Sequence, residues 1–103
     1  MELDKPENIY KEYQEKVKPE IEKGDYDKAL TQMTGLACIL EDQFIRNNLT
    51  QTPITHLAST SFNARELCEN LEKRDTEGIK ESARKFEVYL KQYIMRLNAL
   101  VES

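Results

Sequence analysis

Residues 79–100 read IKESARKFEVYLKQYIMRLNAL. Ile79, Ala83, Phe86, Leu90, Tyr93, Leu97 and Leu100 are separated by 4, 3, 4, 3, 4 and 3 positions, which makes three heptads of an a/d seam. A seam of this kind predicts a helix that packs lengthwise against others. At ~1.5 Å per residue, a helix over 76–102 would span roughly 40 Å. Ile94 and Val101 broaden the seam, while Val88 and Met95, seven apart, fall on another side and predict a second contact surface. The class is all-α. Three Gly, three Pro and many Glu, Lys, Leu and Ala agree with few turns and long helices.

Working back along the chain, Asp75 or Thr76 is a cap for this helix, and Lys73-Arg74 close the preceding one with the charge a helix C-terminus favours. That third helix starts at Thr52-Pro53, a cap followed by proline at the first helical position. It carries Ile54, Leu57, Ser61, Ala64, Leu67, Cys68 and Leu71. The second helix runs from Asp25 to about Asn47, with Ala29, Met33, Leu36, Ala37, Leu40 and Phe44 on one side. Leu30, Cys38, Ile39 and Ile45 widen that stripe. Residues 29–40 hold no charge, so this helix is expected to be the most buried. Gly35 inside it costs ~1 kcal/mol relative to Ala, and a close approach by a neighbouring helix is the expected reason.

The run EKGDYDKAL, residues 22–30, reads as stop, cap and restart: Gly24 suits a left-handed closing position and Asp25 the next cap. In the first helix, Asp4 is the cap, with Pro6 and Glu7 in the opening turn. Ile9 (with Tyr10), Tyr13, Val17 and Ile21 make a narrow stripe, and Pro19 should kink or restart the helix. This helix is expected to be the least buried.

Three short connections make sequential helices antiparallel. The expectation is one domain over 1–103, an antiparallel up-down four-helix bundle with its first helix kinked at Pro19 and its fourth the longest. The overhang of the fourth helix and the Val88/Met95 pair leave room for a homodimer; a three-helix core paired with a second copy is the alternative. If the second and third helices fold back around residue 50, Cys38 lies opposite Phe62. Cys68 is then offset by six residues, ~9 Å along the axis. A disulfide needs Cα atoms within ~7 Å, so two buried free thiols are expected.

Charge and composition exclude several functions. The net charge is −4, and residues 1–25 hold five basic and eight acidic side chains, 26–74 five and six, 75–103 five and five. With no basic face or terminus, no nucleic-acid partner is expected. No run of ~18 apolar residues occurs, so no membrane partner is expected. MELDKPENIY has no apolar core for a secretory signal, which makes a cytoplasmic location the expectation and Asn48-Leu49-Thr50 a chance glycosylation match. Two cysteines make neither a disulfide framework nor a zinc site. His56 is the one histidine, and no acidic residue lies within nine positions of it. Glu41 and Asp42 point to different sides of their helix, no Glu-x-x-His pair exists, and the glycines are isolated. No cofactor, no metal and no catalysis are expected.

Lys23-Gly24-Asp25-Tyr26 with Ala29, followed by Thr55-His56-Leu57, resembles HEPN domains, which are helical bundles. Their nuclease members place Arg four to six residues before the His, whereas nine residues separate Arg46 from His56. The resemblance therefore implies a catalytically degenerate binding bundle. Gly24, Tyr26 and Ala29 also resemble the turn of a tetratricopeptide repeat, but no second copy follows 34 residues on. Residues 68–90 look similar in style to histidine phosphotransfer domains, without the Lys and Gly that follow the reactive histidine there.

Residues 47–64, NNLTQTPITHLASTSFNA, hold no Asp, Glu, Lys or Arg, in a chain that is one-third charged. Interface cores are depleted in charge, so this end is the expected docking region for a protein partner. Phe62 falls off the main stripe and is the expected anchor, with Asn48, Gln51, Thr55 and Thr60 as a polar rim beside His56. The functional expectation is a non-enzymatic adaptor, regulatory or chaperone-like subunit, or inhibitor. The alternative is a ligand-binding bundle with a pocket between the second and third helices near Gly35, Cys38 and His56.

Overall fold

The structure, a computed structural model, describes residues 5–47 and 54–102, and their side chains over 5–46 and 55–99. It is an all-α bundle of four legs. The first leg is α1 (Pro6–Glu12), a π-helical turn (Tyr13–Val17) and α2 (Lys18–Lys23); the others are α3 (Tyr26–Asn47), α4 (Ile54–Lys73) and α5 (Thr76–Glu102). The molecule measures 42 × 22 × 19 Å, and its long dimension is the length expected of α5. α4 packs along both α3 and α5, and the first leg closes the bundle against α3 and α5.

The seam of α5 is buried as its spacing predicts: Ile79, Phe86, Leu90 and Tyr93 are inside, with Ala83 and Leu97 packed on the edge of the core. They meet Leu57, Ala64, Leu67 and Leu71 of α4 and Ala29, Met33, Leu36 and Leu40 of α3. Leu100 and Ile54 lie outside the described side chains.

Both described connections use one device. Gly24 has φ +82°, its N–H reaching Ile21 O at 3.0 Å while Asp25 N–H reaches Glu20 O at 2.9 Å. Asp25 Oδ1 then accepts from Lys28 N–H at 3.2 Å and caps α3. At the other turn Arg74 has φ +58°, Arg74 N–H reaches Leu71 O, and Asp75 N–H reaches Asn70 O. Asp75 Oδ1 accepts from Gly78 N–H at 3.1 Å, which settles the cap of α5 on Asp75.

The first leg is broken and restarted at Pro19 as expected, and departs from expectation in its cap and its burial. Asp4 lies outside the described residues; Lys5 occupies the cap position and makes no side-chain cap bond. The irregular turn lies just ahead of Pro19. Proline has no N–H to offer and its ring crowds the carbonyl of Glu15, four residues back. The backbone widens into the π turn, where Lys18 N–H bonds to Tyr13 O, and Pro19 falls in the first turn of the restarted helix. The leg is also better anchored than a Lys- and Glu-rich surface suggests: Ile9, Tyr13 and Val17 are at most 1% exposed. The Tyr13 ring meets Phe86 edge-on, centroids 5.0 Å apart. Gln14 and Lys18 both reach Glu87, and Lys91 sits over the Tyr10 ring. Only α2 buries nothing.

Two expectations in α3 are corrected. Gly35 has nothing within 4 Å of where a Cβ would stand, so no close helix approach explains it. The thiols are free but not both buried: Cys38 is exposed and Cys68 half-buried. Cys38 lies two residues past the buried Leu36, about 200° around the helix, and therefore faces out. Cys68 lies opposite Thr34, whose hydroxyl is 4.0 Å from its sulfur.

Candidate docking surface around Phe62

Phe62 stands on the outward face of α4, two residues from the buried Thr60 and Ala64, and is 61% exposed. The position follows from the helical wheel, because Leu57, Ala64, Leu67 and Leu71 claim the inward side. Three grooves meet at its ring. One, of about 250 Å³, runs between α3 and α4 and is lined also by Phe44, Ile45, Ala58 and Ser61. Ile45, expected on the core stripe of α3, is instead 64% exposed. It forms the opposite wall to Phe62, and the Arg65–Glu41 ion pair bounds the groove. The second groove, about 410 Å³, lies between α4 and α5 beside Ser59, Lys85 and Tyr89. The third, about 310 Å³, continues down the same helix pair past Asn63, Glu66 and Asn70.

The other expected docking residues divide into four sets. Asn48 and Gln51 lie outside the described residues. Thr55 is exposed and His56 half-buried in the first turns of α4. Thr60 is wholly buried, its hydroxyl donating to His56 O at 2.7 Å, so it belongs to the core and not to a polar rim. A threonine that returns its O–H to the carbonyl four residues back can occupy an inward position without an unsatisfied group. Val88 and Met95 are 42% and 69% exposed on α5, away from the seam.

Gly35 lines a separate groove of about 210 Å³ between the first leg and α3, beside the Glu12–Lys16 ion pair and Ile39. Neither Cys38 nor His56 lines it, so this groove is not the pocket expected between the second and third helices around those three residues. Among the described residues, no three His, Cys, Asp or Glu side chains gather as a metal-holding group. No helix among them is long and apolar enough to cross a membrane.

Electrostatics add little activated chemistry. Burial, opposed in part by the Thr34 hydroxyl, pushes the Cys68 thiol above its ordinary value, which makes it less reactive. The Arg84 guanidinium, with help from Lys85, holds the exposed Glu81 carboxyl below the usual range. Burial first, and then the charge of Glu87, push the Tyr13 phenol far above its ordinary value. Of the residues lining these grooves, Phe62 was expected at the surface from its spacing, whereas Ile45 and the polar residues Asn63, Asn70 and Ser82 between α4 and α5 were not expected there. An Asn-x₆-Asn spacing on one helix was the available signal, since seven residues return to the same face.

No protein-family model, curated protein or solved structure matches the chain.

Proposed function

We propose that the protein is a non-enzymatic binding module that engages another protein through the Phe62 face of α4. The observation that carries this reading is the pair Phe62 and Ile45, both more than 60% exposed and lining one groove. Water-exposed aromatic and β-branched side chains in one concave patch are what an interface anchor requires. Phe62 belongs to the uncharged run 47–64, and Ile45 lies two residues before it in sequence, which supports the same reading. Within this class, adaptor, regulatory subunit, chaperone-like subunit and inhibitor all use such a face. Capture experiments with native protein and Phe62→Asp test it: loss of the same specific partner from the variant is expected, and unchanged partners would remove the proposal.

A second surface, Val88 and Met95 on α5, supports self-association through that helix. Light scattering over a range of concentrations tests it. A mass that rises toward twice the monomer is expected for native protein and not for Val88→Lys/Met95→Lys; a strict monomer throughout would end this part of the proposal.

A further inference from the structure

We infer that the lower α4–α5 groove beside Phe62 receives an arginine side chain of the docking protein. This deepens the docking reading and rests on it.

The inference comes from the hydrogen-bonding groups the groove keeps for itself and those it leaves over. Asn63 is only 6% exposed, and its side-chain amide donates to Ser59 O at 2.8 Å. Asn70 donates to Gly78 O at 3.0 Å and to Ser82 Oγ at 3.2 Å. Ser82, 4% exposed, gives its own hydroxyl hydrogen to Gly78 O at 2.7 Å. A backbone carbonyl can only accept, so each asparagine must turn its nitrogen toward the backbone. Asn70 thus spends both of its N–H groups inside the fold and Asn63 one of its two. No donor among the described residues is seen at either amide oxygen, so the two asparagines are left with more acceptors than donors to offer.

The charges point the same way. Glu81 is already held by Arg84 at 2.9 Å and Lys85 at 3.5 Å. Glu66, half-buried in the groove wall, makes no ion pair among the described residues. Gly78 keeps the wall open, since a Cβ there would stand 2.6 Å from Asp75 Oδ2 and 2.9 Å from Asn70 Cγ. Phe62 supplies a flat apolar face at the mouth. The complement of two amide oxygens, one unpaired carboxylate and one exposed ring is a planar cation rich in N–H. Guanidinium fits this description. Its five donors lie in one plane and it stacks on aromatic faces, whereas an ammonium group offers three donors and no plane. Lys85 at the edge of the groove repels any such cation, which makes the site weak by itself and dependent on the rest of the docked partner.

The test is an amide NMR titration with the blocked peptide acetyl-Gly-Arg-Gly-amide, its lysine counterpart and its citrulline counterpart, which has the same shape without the charge. The expected result is saturable movement of the Gly78 backbone signal and of the Asn63 and Asn70 side-chain signals with the arginine peptide. Citrulline should bind on the order of tenfold more weakly, and Glu66→Gln should weaken arginine by a similar factor, the range of a charge-assisted hydrogen bond. Lys85→Met should bind arginine more tightly. Equal binding of the three peptides, equal binding of arginine and lysine, or shifts scattered away from this groove would overturn the inference. Because both peptide and groove are isolated in this experiment, its failure alongside a continuing effect of Phe62→Asp on partner capture would sink the arginine assignment alone.

Discussion

Arg74 takes at the α4–α5 turn the left-handed backbone that Gly24 takes at the α2–α3 turn, with φ of +58° against +82°. A side chain in that region costs roughly 1–2 kcal/mol that glycine avoids. Arg74 partly compensates through a 2.9 Å ion pair with Asp27, but both side chains are more than half exposed, and such pairs contribute about 0–1 kcal/mol. Arg74→Gly should therefore stabilise the protein slightly. In an Asp27→Asn background, where no ion pair is left to lose, the gain should approach 1 kcal/mol, about 4–8 °C in Tm for a domain of this size. Thermal denaturation of the four proteins checks this, and a drop in Tm in both backgrounds would contradict it.

The two helical glycines should respond to alanine with opposite signs. Gly35 has open space around it, so Gly35→Ala gains helix propensity, about 1 kcal/mol, and loses nothing. Gly78→Ala gains the same propensity but drives a methyl group into the Asp75 cap and the Asn70 bridge. Losing a cap costs about 1 kcal/mol, and losing a partly buried hydrogen bond costs a similar amount, so a net loss of about 1 kcal/mol is expected. Urea denaturation curves for both variants give the sign directly.

Thiol reactivity should split into two phases. Cys38 is exposed and should react quickly with a disulfide reagent. Cys68 should lag, because burial both shields it and raises its pKa. Cys68→Ser should remove the slow phase and Cys38→Ser the fast one. A single fast phase of two thiols in the native protein would show that Cys68 is open to solvent.

Alkaline pH should unfold the protein through Tyr13. Its folded pKa lies above the ordinary 10.0, so its contribution to stability is complete below about pH 10 and is lost as pH rises above it. The limiting slope is about 1.4 kcal/mol per pH unit for one proton. Tyr13→Phe should flatten the stability profile above pH 10 while keeping the ring contact with Phe86. An equal slope in both proteins would place the alkaline sensitivity elsewhere.

The long-range architecture was legible because it depends on period and punctuation. The seam from Ile79 to Leu97 and the Gly24-Asp25 stop and cap are found as read, and of the two caps read for α5 the structure uses Asp75. Burial of individual residues was less legible, since a stripe's width depends on how many neighbours cover it. Ile45 and Cys38 were expected to widen the apolar stripe of α3, yet on the wheel both lie nearly opposite Leu36 and are exposed. Thr60 failed in the other direction: a polar residue was read as surface, when its hydroxyl had a local partner in His56 O. On the outward face of α4, the exposure of Phe62 was legible because it broke a pattern. The groove beside it was not, because Asn63, Asn70 and Ser82 act as a set only once α4 and α5 fix their separation.

The π turn of the first leg bears on which insertions and deletions the chain tolerates. Ile9, Tyr13, Val17 and Ile21 recur every four residues, and on a regular α-helix each step would rotate the next side chain about 40° further around the axis. The wider turn absorbs that drift, so Tyr13 and Val17 face the same core. A π turn is an α-helix carrying one residue more than it needs. Shortening the chain by one residue between Tyr13 and Val17 would restore ordinary helix there while leaving α3, α4 and α5 in register. The same deletion in α4 or α5 would turn half of a seam toward water. The first leg is thus the part of the bundle where the length of the chain, and not only its composition, is free to change.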